Sequence, residues 1–210
     1  MKKEVYSLVL SKNVIAAIDR EANAKGISRS SLINQVLARY VNYETPEQRM
    51  QDIFSKLEDL LDGGTFFPVP QPSESMFSMR TSLDFKYNPN LRYSVELYRN
   101  SLPILGKLKV GMRTQNLALI ESLERFFSFW NTLERNAGLP AATVSGGKYE
   151  RLLVLEHADI ITTQAAGELI KRYIRTLDKA LKTFFYSPEQ NTANAVRAIF
   201  QEYISSSPII

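Results

Sequence analysis

Apolar and polar positions change period several times along the chain, and each change marks an element. In "KEVYSLVLS", residues 3–11, they alternate: Tyr6, Leu8 and Leu10 fall on one face, Val5, Ser7 and Val9 on the other, which predicts a strand. Ser7 interrupts the second face, so the Tyr6, Leu8 and Leu10 side is the one expected to be buried. The apolar Val5 and Val9 leave a one-residue slip open. The period then lengthens. Val14, Ile15, Ile18 and Ala22 recur at helical steps behind Ser11, a capping residue, and the stripe stops at Gly26. A second stripe of Leu32, Ile33, Val36, Leu37, Tyr40 and Val41 follows Ser28, again a cap.

"TPEQRMQDIFSKLEDLLDGG" predicts a third helix, with Pro46 early and Gly63-Gly64 at its end. Its stripe of Met50, Ile53, Phe54, Leu57, Leu60 and Leu61 either packs on its own chain or extends a dimer. "TFFPVPQPSES" reads as a proline-rich linker. Alternation then returns. Phe77, Met79, Leu83, Phe85 and Tyr87 share one face, and after the turn "NPN" so do Leu91, Tyr93, Val95 and Leu97. A third strand buries Leu108, Val110 and Met112. The opposite faces carry Arg80, Lys86, Arg92, Lys107, Lys109 and Arg113, with Asp84 and Glu96 among them: a wet sheet face, or an extension of a basic surface. Helical patterns follow over about 114–137, 160–186 and 189–205, with a strand expected in "YERLLVLEH". The fold class is α+β. The divisions are 1–43, a β-α-α head; 44–64, an acidic connector helix; 65–75, a linker; and 76–210, an α+β body for sensing or oligomerisation.

Charge sharpens this division. Residues 1–43 hold seven Lys and Arg against three Asp and Glu, and residues 44–62 hold two against six. A basic head followed by an acidic connector points to a polyanion partner. Hydrophobic residues make up 44 % of the 210-residue chain and charged residues 23 %, a globular balance. No run of spanning length occurs, so the protein is expected to be cytoplasmic with no membrane partner. Cysteine is absent, which excludes disulfides and thiolate chemistry, and the single His157 argues against a His-rich metal site or a His-based triad. "SGGKYE" lacks the spacing of a phosphate loop. Glu156, His157 and Asp159 are better read as structural than as an acid–base cluster, and Phe126, Phe127, Phe129 and Trp130 as core or interface. No catalytic residue, metal or cofactor is expected.

Strand, helix and helix in some 43 residues is too little chain for a core of its own, and a lone strand leaves its backbone groups unpaired. Two copies pairing their strands about a two-fold axis would remove both problems. The order of strand, "SKNVIAAIDREANAKG" and "ISRSSLINQVLARYV" resembles the ribbon-helix-helix class of DNA-binding domains, to which the Arc and MetJ repressors belong. It covers roughly residues 2–43. The resemblance implies a homodimer on double-stranded DNA with its paired strands in the major groove. Lys3, Val5, Ser7 and Val9 would read bases. Ser28, Arg29 and Ser30 would hold a phosphate at the start of the second helix. Tyr6, Leu8, Leu10, Ile18, Leu32, Ile33, Val36 and Leu37 would form the dimer core. Members of the class mostly carry polar side chains on the outward strand face. The two valines here imply modest direct readout through thymine methyl groups.

Three functions remain open at this point. The first is a transcriptional regulator, a repressor whose body senses an unidentified small-molecule effector or drives higher assembly. The second is a plasmid partition or relaxosome accessory protein. The third, which no motif supports, is an enzyme whose head regulates its own synthesis.

Overall fold

The computed structural model describes residues 5–71, 73–83, 85–99, 102–156, 161–186, 192–206 and 208–210. The chain divides into two compact units, Met1–Arg49 and Met50–Ile210. The first holds α1 (Lys12–Ala24), α2 (Arg29–Tyr40) and the start of α3 (Pro46–Glu58). Two residues open α3 with a reciprocal cap. The Gln48 N–H donates to Thr45 Oγ1 at 3.2 Å, and the Thr45 N–H donates back to Gln48 Oε1 at 3.0 Å, so donors without a helical acceptor are satisfied on both sides.

The expected N-terminal strand is not formed. Residues 5–11 have no strand assignment, and the six described strands all lie between Phe67 and Val154. Alternation specifies which faces a strand would present, but a strand exists only against a partner that takes its N–H and C=O groups, and one copy of this segment has none.

The second unit is α+β. Six strands, β1 (Phe67–Pro68), β2 (Met76–Ser82), β3 (Asn90–Leu97), β4 (Ile104–Gly111), β5 (Thr143–Ser145) and β6 (Lys148–Val154), form one antiparallel sheet in the order β1-β2-β3-β4-β6-β5. Three helices complete it: α4 (Leu117–Asn136), α5 (Thr163–Tyr186) and α6 (Thr192–Ser205). The expected inward residues Phe77, Met79, Leu83, Leu91, Tyr93, Val95, Leu97, Leu108 and Val110 are all buried. Met112 and Phe85 are only partly buried, and Tyr87, expected inward, is 90 % exposed because it lies past the end of β2 in the turn, at φ 70°. The segment expected as a linker contributes β1, and Phe66 from it is buried edge-on against Tyr93 with ring centroids 5.6 Å apart. Met50, Ile53, Phe54, Leu57 and Leu60 join the same core, so the α3 stripe packs on its own chain. Gly106 is required by close approach: a Cβ there would lie 2.8 Å from the Leu97 Cα and collide with the Glu96 carbonyl oxygen.

Within this core sits a polar cluster. Glu134 of α4 is fully buried and accepts from the Tyr149 hydroxyl at 2.5 Å and the Tyr173 hydroxyl at 2.6 Å. Trp130 Nε1 donates to the Tyr173 hydroxyl at 3.2 Å. Arg151 of β6, 1 % exposed, lies 3.5 Å from Glu134 through Nη1, donates from Nη2 to the main-chain oxygen of Ile210 at 2.7 Å, and faces the Tyr173 ring at 4.5 Å. Its Nε and Nη1 make no hydrogen bond, so charge and ring face compensate them. Burial pushes the Glu134 carboxyl up from its ordinary value, while Arg151 and the two phenols pull it back.

Replacing Glu134 with Gln keeps the shape and removes the charge that faces Arg151. An uncompensated buried guanidinium is expected to cost about 3–5 kcal/mol, read as a lower midpoint in urea unfolding of the full chain. The double variant Glu134→Leu/Arg151→Met is expected to recover part of that loss, because removing both charges removes the penalty for either alone.

Candidate nucleic-acid interface

The candidate residues lie on the N-terminal segment and at the junction of α1 and α2. Ser11 caps α1, its Oγ accepting from the Val14 N–H at 3.5 Å, and Ser28 caps α2 by accepting from the Ser31 N–H at 3.2 Å. Between them α1 ends in a double hydrogen-bonded cap. The Ile27 N–H donates to the Ala22 carbonyl at 3.0 Å and the Gly26 N–H to the Asn23 carbonyl at 3.1 Å, with Gly26 at φ 63°. The end of α2 repeats the device with Asn42 at φ 54°, where the Tyr43 N–H donates to the Ala38 carbonyl at 2.8 Å. These caps set the turn that presents the first residues of α2.

Arg29 is not bare. Its Nε donates to Asp19 Oδ1 at 2.6 Å and its Nη2 to Asp19 Oδ2 at 2.7 Å, a two-pronged pair that ties α2 to α1. The hydrogen bond and charge of Asp19 raise the Arg29 pKa further above its ordinary value. Ser28 and Ser30 are exposed beside it. Since the Ser28 side chain takes only the Ser31 N–H, the N–H groups of Arg29 and Ser30 lack a helical acceptor and mark the positive end of α2. The Asp19–Arg29 partnership could have been suspected from charge alone, but the ten-residue separation crosses a turn whose geometry the sequence does not state.

Among the expected base-reading residues, Val5, Ser7 and Val9 are exposed, and Lys3 lies outside the described residues. The expected dimer core divides. Leu32 is buried and Ile18 and Ile33 are half-buried, whereas Tyr6 is 87 % exposed, Val36 57 % and Leu37 50 %; Leu8 and Leu10 are exposed too. A single copy therefore does not bring this set together: the apolar side of the N-terminal segment and the Val36–Leu37 edge of α2 both face solvent.

In the body, Glu134, Tyr149, Arg151 and Tyr173 form a buried titratable cluster with no exposed member. Phe126, Phe127 and Trp130 are core, and Phe129 is partly buried against it. His157 and Asp159 lie outside the described residues. Among the described residues no group of three or more His, Asp or Glu side chains is placed to hold a metal, and no helix is long and apolar enough to cross a membrane. Comparison with protein-family models, with curated proteins and with solved structures finds no match to this chain.

The cap after α1 generates a local test. Gly26→Ala forces an L side chain into the left-handed region and is expected to cost about 1–2 kcal/mol, with Gly26→Asn costing less. Thermal unfolding followed by circular dichroism, with the parent as reference, checks the order parent, Asn, Ala.

Proposed function

We propose that the chain binds double-stranded DNA as a homodimer through its first 43 residues, in the manner of a ribbon-helix-helix domain, and acts as a transcriptional repressor. The observation that carries this reading is the segment Val5–Leu10. It lies outside any described sheet and exposes Val5, Tyr6, Leu8 and Val9 to water. Such a segment has backbone groups and apolar side chains that a second copy satisfies together, by antiparallel pairing over the Val36–Leu37 edge. The paired ribbon has the dimensions the major groove admits. Its opposite face then carries Val5, Ser7 and Val9 toward bases, with Lys3 in the same alternation.

The junction of α1 and α2 supports a second contact. With Arg29 held by Asp19, a phosphate meets the N–H groups of Arg29 and Ser30 at the start of α2 first. The guanidinium joins when it leaves Asp19. This contact positions the protein and carries no sequence information. The body is then the part that senses an effector or extends assembly.

Selection of the full-length protein against a randomised duplex library at two salt concentrations tests the reading. The expected result is enrichment of a two-fold motif whose binding weakens as salt rises; no binding at either salt overturns it. Ser7→Ala is expected to relax selectivity at one position in each half-site. Arg29→Ala should weaken all sequences alike and lower the salt slope by about one. Asp19→Asn frees Arg29 and should tighten binding and steepen that slope. An Asp19→Asn protein indistinguishable from the parent would remove the guanidinium from the clamp.

A further inference from the structure

The helices packed on the sheet lie on one side, as the contacts of Tyr93 with Asp178 and of Tyr149 with Glu134 place α5 and α4 there. The other side is open, and the strand register sorts its charges into rows. In one row Glu96 pairs with Lys107, and in the next Lys109 stands opposite Glu150. These are neutralised: Lys107 lies 3.5 Å from Glu96 and 3.7 Å from Glu150, and Lys109 lies 3.4 Å from Glu150. A third row is different. It runs Phe67, Arg80, Arg92, Gly111 across β1, β2, β3 and β4, and the β4–β6 register brings Lys148 next. Arg80, Arg92 and Lys148 are exposed and form no ion pair among the described residues. Arg92 is steadied by Ser78 Oγ, to which its Nη2 donates at 3.1 Å.

Like charges directly opposite on neighbouring strands work against the sheet, so the Arg80–Arg92 pair is a feature that stability alone does not explain. The row also has a hollow. Gly111 carries no side chain, and the Lys148 stem passes over it, close enough that a Cβ at Gly111 would lie 3.0 Å from the Lys148 Cγ. Lys148 also lines a cleft of about 620 Å³ at this end of the sheet, together with Arg113, Gly146, Gly147 and, from α4, Ile120 and Leu123; Arg113 forms no ion pair among the described residues. At the other end Phe67, 48 % exposed, stands beside Arg80.

We propose that this open face binds single-stranded nucleic acid, its phosphates along Arg80, Arg92 and Lys148 and a base stacked on Phe67. Unpaired cations tracking a backbone beside an exposed aromatic ring are the two elements that such binding needs. A duplex keeps its bases stacked inside and gives Phe67 nothing to stack on. A bilayer surface would call for several apolar side chains to insert, and this row has one. This site is separate from the duplex contact assigned to the head, and either stands without the other.

The test uses the full chain and a fluorescein-labelled oligo(dT), followed by anisotropy at two salt concentrations. Binding is expected to weaken as salt rises. The double variant Arg80→Gln/Arg92→Gln should weaken it about tenfold or more, with a thermal midpoint equal to or above that of the parent because the like-charge pair is gone. Phe67→Ala should weaken it about tenfold, and Arg80→Lys/Arg92→Lys should retain most of it. Absence of oligo(dT) binding at low salt overturns the proposal, as does equal binding by the Gln variant. So does binding of anionic phosphatidylserine vesicles, but not oligo(dT), through the same arginines.

Discussion

A guanidinium without exposed surface is the constraint around which the body is arranged. Taking Arg151 out of water costs several kcal/mol unless its charge and donors are met. Meeting them draws one residue from nearly every layer: Glu134 from α4, Tyr173 from α5, and the main-chain oxygen of Ile210, which Tyr203 of α6 also holds by donating at 3.1 Å. Tyr149, two residues from Arg151 on β6, closes the ring by donating to Glu134. A second, smaller cluster repeats the principle nearer the edge. Asp178 of α5 accepts from the Tyr93 hydroxyl at 3.1 Å and from Lys182 at 2.7 Å, and Lys182 donates to Thr81 at 2.8 Å. Both clusters fasten helix to strand in one geometry, which apolar contacts alone specify less sharply.

With the helices fastened to the inner face, the register decides which charges of the outer face meet. Glu96, Lys107, Glu150 and Lys109 are brought into contact because their strands align those positions. A slip of one residue would exchange the two faces altogether. The same alignment that pairs these four isolates Arg80, Arg92 and Lys148. The uneven charge of the open face is thus a consequence of how the buried face is locked.

Much of the body was legible because its strands are wet on one side. Alternation identified Phe77, Met79, Leu91, Tyr93, Val95, Leu108 and Val110 as inward, and all are buried. Helical stripes and caps located α1 and α2 to within a residue or two, since Ser11, Gly26 and Ser28 act through local backbone geometry. What was not legible depends on contacts distant in sequence. Arg151 follows the inward parity of Tyr149 and Leu153, yet a charged residue there reads as an interruption until Glu134 is seen opposite. Phe66 and β1 were hidden by the prolines around them, because a two-residue edge strand needs only the pairing that β2 offers. The sequence places Arg29 at the expected phosphate clamp, and nothing local reveals that Asp19 lies across the turn and holds it. The N-terminal alternation identified a strand's two faces without the partner that would make it one.

The two units meet the demand for burial in different ways. Residues 50–210 close a core within one chain, including Leu57, Leu123, Phe126, Trp130, Ile170 and Leu177 with essentially no exposed surface. The first unit, of 49 residues, leaves Val5, Tyr6, Val9, Tyr40 and Val41 in water. A unit of that size buries only a small fraction of its surface, which makes it marginal by itself, and under the proposed dimer a second copy covers the rest. On the proposed reading, folding of the N-terminal segment is then linked to dimerisation by mass action, so DNA binding rises more steeply than in proportion to protein concentration. A repressor built this way becomes active over a narrow range of its own abundance. On that reading the property follows from an N-terminal segment that becomes a strand only with a second copy, and requires no ligand or movement of the body.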